Sequence, residues 1–113
     1  NLSGANSYSL DSIETFKPYD IPASRYLRPV SKIFSKLENI RLKRITNSLK
    51  QAAKNGEIFH LWWHPHDFGV NMDDNINFLD ALFSSFVKLR ESYGITSLNM
   101  GEISNLICEK DRD

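Results

Sequence analysis

Seven residues, Glu57-Ile-Phe-His-Leu-Trp-Trp63, constrain this chain more than any other stretch. They are bulky on both alternating faces, they follow Asn55-Gly56, and they end shortly before Pro65. A short aromatic run bounded by Gly and Pro reads as a β-strand. Bulk on both faces suits a strand covered on both sides, as in a parallel sheet. Gly56 stops the preceding helix, because glycine adopts the left-handed backbone that a helix C-cap favours. Helix, tight glycine turn and strand make half of an α/β unit.

The flanking periodicity extends this pattern. Ile33, Phe34, Leu37, Ile40, Ile45, Leu49 and Ala52 recur mostly at three- and four-residue steps, which predicts a helix over about 30–55, with a break available at Asn39. After the strand comes a polar loop, His64 to Asn71. Asp73 and Asp74 are placed to cap the next helix and oppose its dipole. Its apolar stripe runs Ile76, Leu79, Leu82, Phe83, Phe86, Leu89, Tyr93, and Gly94 ends it. Ile95-Thr-Ser-Leu98 reads as a second short strand. Asn99 with Glu102 forms a capping box for a last helix. The expected order is therefore loop-α-β-α-β-α. Parallel strands with crossover helices are its natural assembly. Two strands cannot cover both faces of a strand this apolar, so neighbouring strands are expected from outside the chain. The expectation is an α/β class: residues 1–29 as an irregular polar segment and 30–113 as the C-terminal part of a β/α barrel.

Composition sets the outer limits. At 113 residues, 41% hydrophobic and 25% charged, the chain fits one ordinary globular domain or part of one, not a disordered tail. No apolar run approaches the roughly 20 residues of a membrane span, so no transmembrane segment is expected. No basic-then-apolar leader opens the chain, which favours a cytoplasmic location; the first residue is Asn1, so processing or a missing front is expected. Cys108 is alone, which excludes a disulfide framework and a Cys-rich zinc module. The zero net charge is uneven. Residues 25–54 carry nine Lys or Arg against Glu38 alone, and 56–113 carry ten acids against four cations. Such halves can pair internally or meet a phosphate-bearing partner. No nucleic-acid-binding signature accompanies the cations, and the aromatics lie apart from them, so nucleic acid is not the expected partner.

The loop after Trp63 is where α/β proteins bind ligands, at the C-terminal end of a strand. It holds His64, His66 and Asp67 beside Trp62 and Trp63. Imidazoles transfer protons near neutral pH. Indole faces accept sugar rings or bases. The same residues have ordinary roles: His66 and Asp67 as loop-shaping groups, Trp62 and Trp63 as core, His60 as a packed strand residue on the side of Trp62 and His64. A His-x-His pair can bind metal at a strand end, but no histidine follows His66, so this chain alone cannot build such a site.

The string Phe59-His-Leu-Trp-Trp-His-Pro-His-Asp-Phe68 resembles the C-terminal end of polysaccharide deacetylases, the chitooligosaccharide and peptidoglycan deacetylase-like carbohydrate esterases. Leu61-Trp62-Trp63-His64 matches that family's Leu-x-x-His motif. Ile21-Pro-Ala-Ser24, Leu27-Arg-Pro29 and Ser97-Leu-Asn-Met-Gly-Glu-Ile103 extend the likeness to about residues 21–103. The resemblance implies a distorted β/α barrel that removes acetyl groups from saccharides. It implies zinc or another divalent metal in a full-length parent, held by an Asp and two His, with a second Asp as base. It implies His64 as general acid, Leu61 in the acetyl-methyl pocket and Trp62 or Trp63 as its wall, with His66 and Asp67 beside the substrate. The family's Thr-Phe-Asp-Asp segment and His-x-x-x-His pair are not in this sequence. The expected protein is thus a fragment, truncated frame or divergent copy, inactive alone and binding no metal alone. Its expected partners are a saccharide substrate and an upstream part of the same domain, or another chain, that completes the sheet. The alternatives are a non-catalytic saccharide-binding or scaffolding module using Trp62 and Trp63, and a phosphate or nucleic-acid binder through Arg41, Lys43 and Arg44.

Overall fold

A computed structural model describes residues 7–13 and 19–112. The elements run β1 (Arg25–Tyr26), α1 (Ser35–Asn55), β2 (Leu61–Trp62), α2 (Met72–Tyr93) and α3 (Met100–Arg112), with 3-10 turns at Leu10–Ser12 and Pro65–Phe68. β1 and β2 pair in parallel, and α1 is the crossover between them.

The helices fall close to where the periodicity put them, and their ends have local causes. Gly56 and Gly94 take left-handed φ values of 64° and 73° past the last turns of α1 and α2. Asn99 and Glu102 exchange side-chain to backbone hydrogen bonds of 2.9 and 3.0 Å at the start of α3. α1 runs straight through Asn39, where a break was available. An asparagine in a helix interior costs only a fraction of a kcal/mol. Beside it, Arg41 donates from Nε to Glu38 at 2.6 Å along the same helix face.

The barrel expectation is corrected. Among the described residues the protein is small and mostly helical, 62% helical with its 3-10 turns and with one two-stranded parallel sheet, and it is not a portion of a distorted β/α barrel. The order loop-α-β-α-β-α fails at its second strand: Ile95 to Leu98 form none. β2 pairs instead with β1, which lies in the segment expected to be irregular. The physical reason lies in where the apolar stripes go. α1 and α2 close on each other, with Ile45, Phe78 and Leu82 buried together with Leu27. Phe59, Leu61 and Trp63 pack on the edge of that helical core rather than inside a wide sheet.

Buried polar groups fix the chain around this core. Arg41 and Glu38 are each 8% exposed. Arg41 also donates from Nη1 to the Arg28 carbonyl at 2.6 Å, and its guanidinium lies 4.1 Å above the Phe78 ring. Glu38 accepts the Ser31 N–H at 3.1 Å and lies 3.5 Å from Arg28 Nη2. Asn75, 2% exposed, accepts the Val30 N–H at 2.6 Å and donates to the Val70 carbonyl at 2.8 Å. One side chain thereby joins the exit of β1 to the entry of α2.

The shape is extended, 50 × 30 × 24 Å with a radius of gyration of 15.4 Å. A compact chain of this length has about 13 Å. A cavity of about 690 Å³ lies between α3 and the body; Leu49, Phe59, Leu82, Phe86, Ile95 and Ile103 are among its walls. Asn75→Ala leaves the Val30 N–H and the Val70 carbonyl without this partner. It is expected to lower stability by about 2 kcal/mol in urea unfolding, because half-buried backbone groups lose hydrogen bonds with nothing in return.

Candidate functional site

The parallel register pairs Arg25 with Leu61 and Tyr26 with Trp62. Paired residues share a face, so Arg25 and Leu61 lie on one side of the sheet and Tyr26 and Trp62 on the other. The Tyr26 and Trp62 rings are 4.6 Å apart between centroids. Alternation brings His64 to the Trp62 side, where it meets the indole edge-on at 5.3 Å. Pro65 then opens a 3-10 turn that folds His66 back onto His64, the two imidazoles nearly parallel at 5.2 Å. Four rings form a continuous row, Tyr26, Trp62, His64, His66, all exposed.

Asp67 closes the row from below. Its Oδ2 accepts the Tyr26 hydroxyl and the His64 backbone N–H, the latter at 3.2 Å. Its Oδ1 lies 3.5 Å from His66 Nε2. The Asp67 side chain is only 14% exposed, against 82% for His66. The Tyr26 hydroxyl holds the Asp67 carboxyl below the usual carboxylate range, helped by the His64 N–H and opposed by partial burial. The same hydrogen bond pushes the Tyr26 phenol up, with burial and the Asp67 charge adding to it.

The expected site residues separate into two groups. His64, His66, Asp67 and Trp62 converge on the ring row. Leu61 and Trp63 do not: Leu61 packs on the core from the opposite face, and Trp63 stacks on Phe68 at 5.8 Å between centroids. His60 is held at Nδ1 by the Pro22 carbonyl at 3.1 Å. Tyr26 was not expected. Its only sequence signal is a short run between Ser24 and Pro29, and its place in the row depends on the pairing of strands 36 residues apart in the chain. Two cations of the basic stretch turn away from the rings. Arg41 turns inward to Glu38 and Phe78, and Arg25 lies on the face of the sheet away from Tyr26.

The described residues show no donor set for the metal that the resemblance implies. Among the described residues, no group of three or more His, Cys, Asp or Glu could hold a metal ion. His64 and His66 present ring faces to each other rather than converging nitrogens, and Asp67 is engaged by Tyr26. No protein-family model matches the chain, and neither curated proteins nor solved structures yield a match. Among the described residues no helix is long and apolar enough to cross a membrane.

The opposite shifts of Asp67 and Tyr26 define a pH window. A lowered carboxyl contributes stability above its ordinary value and loses it as pH falls through the lowered one. A raised phenol contributes below its ordinary value and loses that contribution as pH rises through the raised one. The Tyr26–Asp67 contact is therefore strongest between the ordinary Asp and Tyr ranges. The Tyr26 component of the ultraviolet tyrosinate titration, isolated by difference against Tyr26→Phe because the Tyr8 phenol is also pushed up, is expected above the ordinary tyrosine range, and Asp67→Asn is expected to bring it back towards that range.

Proposed function

We propose that the chain is the C-terminal portion of a metal-dependent polysaccharide deacetylase and supplies its general acid, His64. The supporting observation is an exposed imidazole at the C-terminal end of a parallel strand, on a row of exposed rings, with the backbone N–H of the same residue donating to the Asp67 carboxylate. Release of an acetyl group expels an amine or hydroxyl, and neither leaves readily without a proton. An imidazolium is a good donor near neutral pH. Trp62 and Tyr26 offer faces on which the saccharide stacks, with His66 and Asp67 at its edge. Leu61 and Trp63, turned to the core, support the strand from behind. Water activation and polarisation of the acetyl carbonyl fall to residues outside this chain.

A second reading, a non-catalytic saccharide-binding module, draws on the row itself: four exposed rings in series are a stacking platform whether or not a proton moves. Trp62, rather than Trp63, is then the indole that carries binding.

Acetate release from N-acetylated oligosaccharides by the longer polypeptide containing this chain separates the two. His64→Ala is expected to cut turnover by about a hundred- to ten-thousand-fold. Undiminished turnover removes His64 from the mechanism. Oligosaccharide binding without acetate release, in the presence of zinc, favours the binding module.

A further inference from the structure

We infer that Tyr26 is a positioning residue for His64, acting through Asp67. The inference rests on the general-acid role of His64 and adds the device that holds the acid in place.

Three groups converge on one carboxylate. The Tyr26 hydroxyl and the His64 N–H both donate to Asp67 Oδ2, and His66 Nε2 lies 3.5 Å from Oδ1. Two of these come from the turn itself. Only Tyr26 comes from elsewhere, 41 residues earlier in the chain. Among the described residues it makes the one hydrogen bond that joins residues 64–68 to β1. The turn's remaining backbone bonds, Asp67 N–H to His64 and Gly69 N–H to His66, are internal, and its far end is held by packing, with Phe68 stacked on Trp63 against the core; the Tyr26 hydroxyl is the tie at the His64–Asp67 end.

The His64 ring lies between Trp62, nearly perpendicular to it at 5.3 Å, and His66, stacked on it at 5.2 Å. His66 in turn faces the carboxylate that Tyr26 holds. Removing the hydroxyl therefore loosens the backbone support of His64 and the ring packed on it. The carboxylate itself gains from the tie: a phenol donor compensates its partial burial, and without that donor it is drawn towards solvent or towards protonation. Tyr26 also stacks on Trp62, but a phenylalanine keeps that contact, so hydroxyl and ring are separable by one substitution.

Tyr26→Phe in the full chain is the test, read by NMR, with far-UV circular dichroism to verify an unchanged fold. The Asp67 carboxyl midpoint is expected to rise towards the ordinary aspartate range. Exchange of the His64 amide proton is expected to quicken about five- to tenfold as the turn opens more often. Asp67→Asn is expected to quicken His64 amide exchange in the same way. In acetate release by the longer polypeptide, Tyr26→Phe is expected to lower kcat about tenfold with KM little changed, the signature of a misplaced donor rather than a lost binding face. An unmoved Asp67 midpoint and unchanged His64 exchange in Tyr26→Phe overturn the positioning role. Undiminished turnover in His64→Ala overturns the general-acid role instead, and the NMR arms judge the tie independently of it.

Discussion

The parallel pairing of two dipeptides, Arg25-Tyr26 and Leu61-Trp62, is the contact on which the candidate site depends. It is short for a sheet, and two strands of this length are not stable alone. What makes it persist is the crossover helix between them, docked on α2 through Ile45, Phe78 and Leu82. The register then decides the chemistry on each face. Tyr26 opposite Trp62 starts a row of rings, and Arg25 opposite Leu61 stays away from it. A slip of one residue would exchange the two faces and dissolve the row.

Buried polar side chains give this small core its definition. Arg41 is tied to Glu38, to the Arg28 carbonyl and to the Phe78 ring, while Asn75 spans from Val30 to Val70. Groups this buried are costly unless bonded, so their partners are specified rather than interchangeable. These ties end at the loops that follow β1 and precede α2, beside the turn that carries His64 and Asp67. The basic character of residues 25–54 is thus partly structural: some of its charge is spent holding loops, and the rest is solvated.

The apolar residues tell a complementary story. Ile33 and Phe34, just before α1, and Leu37 and Ile40 in its first turns stay substantially exposed, with Ile33 at 86%. The cavity beside α3 is likewise lined mainly by aliphatic and aromatic side chains. The periodicity that predicts α1 is real, but only its second half, from Ile45 to Ala52, finds a buried place in this chain. Hydrophobic spacing states which residues can share a face. It does not state that a partner for that face exists.

Local chemistry was legible in the sequence. Gly56 and Gly94 end helices because a left-handed residue there is free of Cβ strain, and Asn99 with Glu102 starts one because their side chains satisfy the first backbone N–H groups. The cluster His64, His66, Asp67 and Trp62 was visible as well, because its members are near neighbours in the chain. The barrel and the strand at Ile95 to Leu98 were not what the fold adopted. Strand formation needs a backbone partner, and which segment supplies it is a non-local choice; here Arg25-Tyr26 supplied it. That choice, made by the packing of α1 against α2, brought Tyr26 to Asp67 and turned a loop with suggestive side chains into an ordered arrangement. Nearest-neighbour spacing carries no information about a contact across 41 residues, so only the tertiary structure decided it.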